Sequence, residues 1–232
     1  MTEPVKRVVI SGAAGALGTA VAQAFVTTGA HVALVDRTPD SKGLVQKLGA
    51  PHFFLGDIDL ADPAQARQAL DNIVRRLGGI DVLVNVAGGF RWETVAAGTL
   101  DTWDFLYAIN LKTALCASKG ALPHLPDGRG RVINVAAAAA AKAGLGMGAY
   151  AASKAAVIKL TESLAEELKD RSITVNAVLP SIIDTPANRS DMPQADFSRW
   201  VAPAALADVI VFLASEGARA ITGASIPVTG RV

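Results

Sequence analysis

The sequence is poor in the residues that would support several common kinds of site. It has one cysteine, Cys116, which excludes an internal disulfide and a multi-cysteine metal site. Its three histidines, His31, His52 and His124, are scattered, so no metal site is expected. Lys plus Arg number 22 against 21 Asp plus Glu, a formal net charge of +1, so nothing in the composition supports nucleic-acid binding.

Long apolar runs and a high density of charge are also missing. No apolar stretch reaches the roughly 18 residues of a membrane span, so no membrane partner is expected. Charged residues make up 19% and hydrophobic residues 51% of the chain, which argues against disorder and allows a large core. The N-terminal segment enters a strand pattern at once and does not look like a signal peptide. We therefore expect a cytoplasmic protein with a single domain over residues 1–232.

Short apolar runs alternate with longer helical stretches along the whole chain. The runs at 8–10, 31–35, 52–55, 82–84, 131–135, 173–179 and 226–228 predict strands. Helices are predicted after the first run to about 28 and at 64–77, 102–121, 149–168 and 203–215. Because the early strands are apolar on both faces, the pattern predicts an α/β fold, a Rossmann-type doubly wound parallel sheet with helices on both faces. The long segment 180–200 is predicted to be a loop that carries function or forms a lid.

A glycine-rich turn, SGAAGALG, follows the first predicted strand. Glycine permits a positive φ and close approach of the backbone to a pyrophosphate, and the helix that follows offers free N–H groups. We therefore predict a dinucleotide site at this turn, which comprises Gly12, Ala14, Gly15, Ala16, Leu17 and Gly18.

Asp36 ends the second predicted strand, 18 residues beyond Gly18. A carboxylate here accepts hydrogen bonds from the ribose 2′- and 3′-hydroxyls and repels a 2′-phosphate, so it favours NAD (NADH). Arg37 follows directly and could hold a 2′-phosphate, which leaves NADP possible. Asp57, with Ile58 beside it, is predicted to lie near the adenine; a plain turn or cap residue is the alternative.

Tyr150 and Lys154 lie four residues apart at the start of a predicted helix, which places both on one helical face. An ammonium beside a phenol stabilises the phenolate and lowers the pKa of the phenol, which can then transfer a proton near neutral pH. On an arbitrary helix such a pair is usually a surface pair.

Taken together, the motifs resemble the short-chain dehydrogenase/reductase family over essentially the whole chain. They are the glycine turn, Asn85-Val86-Ala87-Gly88, Asn110 in YAINLKT, the Tyr–Lys pair, and Pro180 with Thr185 and Pro186. The resemblance implies that Tyr150 is the general acid/base, that Lys154 lowers its pKa and holds the nicotinamide ribose, and that Asn110 supports a proton relay. It also implies cofactor contacts from Asn85, Ala87, Gly88, Pro180, Ile183 and Thr185. Structural hydrogen bonding is the alternative for both asparagines.

Two positions depart from the pattern of that family. Ala16 stands where most single-domain members have glycine. Ala137 stands thirteen residues before Tyr150, where the family usually has a serine that polarises the substrate carbonyl. No serine or threonine occurs from 135 to 149. Loss of such a donor to a developing oxyanion costs about 3 kcal/mol in the barrier.

The serine-free approach to Tyr150, NVAGGF at 85–90 and the segment 179–200 resemble the dihydropteridine reductase group of that family. This resemblance implies an NADH-preferring reductase of quinonoid dihydropterin, with Tyr150 as proton donor. The predicted substrate pocket comprises Phe90, Trp92, Ala137 and Met192; loop packing is the alternative for the two aromatic residues, and a core or dimer role for Met192. The alternative functions are reduction of another activated small carbonyl, imine or quinone, and NAD binding without turnover.

We also expect a homodimer or homotetramer. Members of the family pair through the helix at 149–169, which here carries small residues near Ala151, Ala155 and Val157. The alternative is that this face packs on the protein's own sheet.

Overall fold

A parallel β-sheet forms the centre of the fold. The computed structural model describes residues 5–40 and 43–232. Residues 1–4, which begin the N-terminal segment that was predicted not to be a signal peptide, lie outside the described residues. Seven strands are seen within those ranges: β1 (Arg7–Ser11), β2 (His31–Val35), β3 (Phe53–Leu55), β4 (Val82–Asn85), β5 (Arg131–Val135), β6 (Thr174–Pro180) and β7 (Ser225–Val228). Their order is β3-β2-β1-β4-β5-β6-β7, and all neighbouring strands are parallel.

The direction of strand addition reverses between β1 and β4. The chain adds β2 and β3 on one side of β1, then returns to place β4 on its other side. The carboxyl ends of the central strands are level, since Ser11 pairs with Asn85 and Asn85 pairs with Asn134. In open parallel sheets the crevice at such a reversal is where ligands bind.

Helices cover both faces of the sheet. In chain order they are α1 (Ala16–Thr27), α2 (Leu44–Leu48), α3 (Pro63–Leu77), α4 (Leu100–Leu106), α5 (Thr113–Ala121), α6 (Gly148–Leu168), α7 (Pro186–Asp191) and α8 (Pro203–Leu213). Alternate strand residues reach opposite faces: Val8 and Ile10 pack with α1 and α8, and Val9 packs with α3, α5 and α6. The predicted fold class, a doubly wound sheet, is confirmed.

The predicted elements differ from the observed ones in three places. The predicted helix 102–121 is α4 and α5 joined by a π-helical turn, Tyr107–Lys112. The predicted loop 180–200 contains α7 and a 3₁₀ turn, Phe197–Arg199. α2 was not predicted, because its five residues are too few to show a helical period.

The face of α6 that was predicted to pair subunits is partly buried inside the subunit. Ala151 and Val157 are buried, and Val157 packs against Ala136 and Leu179. For Val157 the alternative, packing on the protein's own sheet, is the one observed. None of the helices formed by the described residues has the length and apolarity needed to span a membrane.

Candidate active site

A cavity of about 1430 Å³ opens at the carboxyl ends of the strands. It is lined at one end by the glycine turn and Asp36, and at the other by Tyr150, Lys154 and Met192. The predicted nucleotide end and the predicted chemical end therefore belong to one continuous space. Within residues 5–40 and 43–232, no group of three or more His, Cys, Asp or Glu residues could hold a metal ion.

The glycine turn packs too closely for side chains at two of its three glycines. Gly12 has φ +65°, and a Cβ there would lie 2.7 Å from Cα of Ala87. A Cβ at Gly18 would overlap the carbonyl oxygen of Gly12 and lie 2.7 Å from Cα of Ala13. Gly15 has more room, its nearest atom being the Gly12 oxygen at 3.3 Å. The backbone from Ala14 to Gly18 consequently lines the cavity at the start of α1, a geometry that fits a pyrophosphate.

Asp36 is held at the edge of this turn. One carboxylate oxygen accepts from the Ala14 N–H at 2.9 Å, and the other accepts from the N–H and hydroxyl of Thr38, both at 3.0 Å. Both Asp36 and Arg37 line the cavity, as predicted. The carboxylate is thus fixed where the end of β2 meets the turn.

Asp57, predicted to lie near the adenine, lies outside the lining of the cavity. Its side chain is exposed, its backbone is left-handed with φ +58°, and it is not among the residues that line the cavity. Ile58 does line the cavity, and its N–H donates to the Asp36 carbonyl at 3.1 Å. Asp59, which was not predicted, lines it too.

Asn85 does not line the cavity either. It is 3% exposed and lies in the core, where its amide donates to Asn134 Oδ1 at 2.8 Å and to Ser118 Oγ at 3.2 Å. Structural hydrogen bonding is therefore the role observed, whereas Ala87 and Gly88 line the cavity as predicted. Ser11, which was not singled out, accepts from the N–H of Val86 and of Ala87, at 3.1 and 3.2 Å, and so positions that segment.

Tyr150 and Lys154 lie in the first two turns of α6 and both line the cavity. Lys154 is 5% exposed, and its Nζ donates to the Val135 carbonyl at 2.8 Å. Burial lowers the pKa of Lys154 to about 8 and raises the pKa of Tyr150 to about 12. For the protein chain alone, desolvation of the phenol therefore outweighs the expected effect of the lysine.

Asn110 lies in the π-helical turn with its side chain fully engaged. Its Oδ1 accepts from the Gly89 N–H at 2.9 Å, and its Nδ2 donates to the Gly89 carbonyl at 3.1 Å and to Ser153 Oγ at 2.9 Å. Gly88 packs so closely here that a Cβ would lie 2.7 Å from Asn110 Oδ1 and 3.1 Å from Lys154 Nζ. The segment after β4 thus brings Asn110 and Lys154 together.

Three partners of these side chains were missed from the sequence. Ser153 stands inside the Y-A-A-S-K motif and Gly89 directly follows the Asn85–Gly88 motif, so a signal existed for both. The carbonyl of Val135 carries no sequence signal, because any residue at the end of β5 supplies the same atom.

The predicted substrate residues Phe90, Trp92, Ala137 and Met192 all line the cavity. The Phe90 ring contacts the Tyr150 ring edge to face, with 4.9 Å between centroids and 85° between planes. Ala137 is buried and presents a methyl group to the cavity, whose lining continues through the adjacent alanines 136, 138 and 139.

The segment after β6 contributes the rest of the predicted lining, namely Pro180, Ile183 and Thr185. Thr185 Oγ1 accepts from the Asn188 N–H at 3.2 Å and so caps α7. Asn188 and Asp191 of α7 line the cavity as well, although neither was predicted.

Comparison with known proteins gives the family of this site. A family described as short chain dehydrogenase matches residues 6–196. The chain belongs to that family. As a short-chain dehydrogenase it is a member of a family of oxidoreductases. Its glycine turn and its Tyr–Lys pair both line the cavity.

Three similar proteins illustrate the range of the family. The chain is 32% identical to meso-2,3-butanediol dehydrogenase from Serratia marcescens over 237 residues, covering 97% of this chain and 93% of that protein. A solved structure of a blue fluorescent protein from a metagenomic library, in complex with NADPH, has a TM-score of 0.89 at 34% identity and covers 97% of this chain and 96% of its own. A 3-ketoacyl-(acyl-carrier-protein) reductase from Brucella melitensis, complexed with NADH, has a TM-score of 0.88 at 27% identity and covers 97% and 98%. None of the three is named as a dihydropteridine reductase.

Proposed function

We propose that this short-chain dehydrogenase is an NAD(P)H-dependent reductase of a small acceptor that is already electrophilic, namely a conjugated carbonyl, an imine or a quinone. One observation carries the proposal. Tyr150, Lys154 and Asn110 come together beside the cavity, while position 137 presents a methyl group in place of a hydroxyl.

The nucleotide end is proposed to bind a nicotinamide dinucleotide. The backbone from Gly12 to Gly18 would hold the pyrophosphate, and Asp36 would accept from the adenosine ribose hydroxyls, which favours NADH. Arg37 leaves binding of NADPH open. The bound cofactor supplies the hydride, and the similar structures with NADPH and NADH support this class of ligand.

Tyr150 is proposed to donate the proton. With a pKa near 12 its phenol is protonated throughout the neutral range, so it is in the form that a reduction requires. Lys154, protonated below about pH 8, would hold the nicotinamide ribose and stabilise negative charge on the Tyr150 oxygen as the proton leaves. Asn110, held by Gly89 and Ser153, would support the relay that returns a proton to Tyr150.

The methyl group at position 137 is what narrows the substrate class. An unactivated ketone gains charge on its oxygen as hydride arrives, and a donor at this position would stabilise that charge. An acceptor whose conjugation already disperses the charge has less need of the donor. This argument favours activated acceptors over simple alcohols and ketones.

Quinonoid dihydropterin is the second candidate within the same class. It is favoured by the segment 179–200, whose residues Ile183, Thr185 and Met192 line the cavity, together with the serine-free approach to Tyr150. The pterin is conjugated and electrophilic, and it gains aromatic character on reduction.

The test is oxidation of NADH or NADPH by the purified protein with three acceptors: 9,10-phenanthrenequinone, quinonoid dihydropterin formed in the cuvette, and cyclohexanone. We expect turnover of one or both conjugated acceptors and negligible turnover of cyclohexanone. Tyr150→Phe should lower turnover by about 100-fold or more while cofactor binding persists. Ala137→Ser should raise activity on cyclohexanone by about tenfold or more.

Two results would contradict the proposal. Cyclohexanone reduced as fast as the conjugated acceptors would remove the argument from position 137. Cofactor binding without reduction of any acceptor would indicate a nucleotide-binding protein that does no chemistry.

A further inference from the structure

Trp92 is a large aromatic side chain that lines the cavity without being packed into the core. It is 59% exposed, and the nearby Phe90 is 52% exposed with its ring against Tyr150. Aromatic groups left open in a concave site are typical of ligand contacts, because they offer a large apolar area at a small entropic cost.

The indole of Trp92 lies directly against the backbone of Gly146. Gly146 has φ +72°, and a Cβ there would overlap Nε1 and Cε2 of the indole and lie 2.7 Å from Cδ2. These three atoms belong to the five-membered ring of the indole. Only a hydrogen fits between the two residues, so any side chain at position 146 would have to displace the indole.

The segments that carry Trp92 and Gly146 are also joined by a hydrogen bond between their backbones. The Glu93 N–H donates to the Gly146 carbonyl at 2.9 Å, directly after Trp92. The Glu93 side chain is itself held: Oε1 accepts from the Thr99 N–H at 3.3 Å, and Gly98 packs on its Cγ. Gly146 thus contacts the indole of Trp92 and binds the backbone directly after it, so Trp92 is positioned before any substrate binds.

We propose that Trp92, held against Gly146, is a specificity-determining residue that stacks on a planar, conjugated acceptor. Gly146 is then a positioning residue for the indole. The inference rests on the proposed function and deepens it, since it selects planar acceptors among those that are activated.

The physical reason is that much of the lining near Tyr150 is made of small or flexible apolar groups. The alanines at 136–139 offer methyl groups, and Met147 and Met192 offer thioethers. Such a lining excludes water but does not discriminate shape by hydrogen bonds. A fixed indole adds a flat surface whose ordering cost has already been met in folding.

The first experiment compares a planar acceptor with a compact one. For 9,10-phenanthrenequinone and 2,3-butanedione, kcat and KM are measured on the wild type, Trp92→Leu and Trp92→Phe. We expect Trp92→Leu to lower kcat/KM for phenanthrenequinone by about tenfold, mainly through KM, and to leave butanedione within about twofold. Trp92→Phe, which keeps a flat ring, should retain more of the wild-type kcat/KM for phenanthrenequinone than Trp92→Leu does. Equal losses for the two acceptors would overturn the inference.

The second experiment tests the Trp92–Gly146 contact by a double-mutant cycle. Gly146→Ala should reproduce the selective loss on phenanthrenequinone, because the added methyl displaces the indole. The same change made in Trp92→Leu should add less than about twofold. Gly128→Ala is the matched control, since Gly128 has a similar φ of +77° and a Cβ there would meet nothing within 4 Å. An effect of Gly146→Ala that persists in full without Trp92 would indicate backbone strain alone and refute the positioning role.

A binding measurement separates this inference from the proposed function. Phenanthrenequinone is titrated calorimetrically into wild type and Trp92→Leu, each with the oxidised cofactor present so that no hydride is available. About tenfold weaker binding to Trp92→Leu supports the stacking role, whether or not the acceptors are reduced. Absence of reduction of both acceptors would reject the proposed function but not the stacking role. Equal binding to both proteins, or none to the wild type, rejects the stacking role.

Discussion

At the scale of the residue, Lys154 carries a charge that the fold buries. Its pKa falls to about 8 from the usual lysine value of 10.5, so the unfolded chain binds more protons between those pH values and stability rises with pH across them. The pKa of Tyr150, raised from 10.0 to about 12, acts in the opposite direction, but only above about pH 10. Burial also raises the pKa of the Cys116 thiol above its usual value of 9.0, which opposes Lys154 in the same interval, so the effect of Lys154 is measured as a difference between variants.

We expect the unfolding free energy of the wild type to rise relative to that of Lys154→Met by about 2 kcal/mol between pH 7 and pH 10. Urea titrations at a series of pH values measure it. Lys159→Met, which removes an exposed lysine of the same helix, is the control and should parallel the wild type. A constant difference between wild type and Lys154→Met would mean that the ammonium is solvated in the folded protein.

Asp36 and Asp57 provide a matched pair for cofactor preference. Asp36 lines the cavity beside the glycine turn, and Asp57 is exposed away from it. We expect Asp36→Ala to lower the ratio of kcat/KM for NADH over NADPH by about tenfold, because a charge-assisted hydrogen bond to ribose is lost along with the repulsion of a 2′-phosphate. Asp57→Ala should leave the ratio unchanged. A shift caused by Asp57→Ala alone would place the ribose elsewhere.

Single residues of the site could be predicted where their position depends on local spacing along the chain. Tyr150, Lys154 and Gly18 were predicted because a fixed spacing on one helix or turn places them in the site. Asp57 and Asn85 do not line the cavity, because at or just beyond a strand end a rotation of one residue decides between the cavity, the core and solvent. The carbonyl of Val135, which holds Lys154, could be located only in three dimensions.

At the scale of the element, the glycine turn and the start of α1 depend on two close approaches. We expect Gly18→Ala to weaken cofactor binding by at least about tenfold and to destabilise the fold by about 2 kcal/mol, because its Cβ would meet the backbone of Gly12 and Ala13. Gly15→Ala, with φ −71° and its nearest neighbour at 3.3 Å, should cost about 1 kcal/mol or less. Cofactor titration and urea denaturation of both variants test this. Equal effects of the two substitutions would show that the turn can relax around Gly18.

Long elements were predictable and short ones were not. α3 begins where expected because Asp62 accepts from the N–H of Ala64 and Gln65, with Pro63 at its first position. α7 has the same kind of start, Thr185 before Pro186, but its six residues carry no apolar period. Asn110, in the π-helical turn, hydrogen-bonds with Gly89 and Ser153, and the helical period of its own segment reveals neither the turn nor these contacts.

At the scale of the whole molecule, the parallel sheet could be predicted from the pattern of apolar runs. Strands apolar on both faces have to be covered on both sides, and helices between parallel strands can do so. The pairing of subunits depends instead on which side chains remain exposed after folding. That information became visible only once Ala151 and Val157 were placed inside the subunit.

A groove between α4 and α6 is where we expect the predicted self-association. It is lined by Trp103 and Tyr107, which are 39% and 52% exposed, and by the small residues Ala152 and Ala156 of α6. Large rings beside small residues leave room for side chains of a second copy, and their burial would remove apolar surface from water. The chain should therefore exceed its monomer mass of 23.9 kDa in light scattering coupled to gel filtration.

Trp103→Glu should shift that mass to the monomer, because it would place a carboxylate in the groove at each contact. Phe212→Glu is the matched control, since Phe212 is an exposed aromatic on α8, on the opposite face of the sheet. A reduced mass for Phe212→Glu with none for Trp103→Glu would locate the contact at α8. A wild type that elutes as a monomer at all concentrations would contradict the prediction of an oligomer.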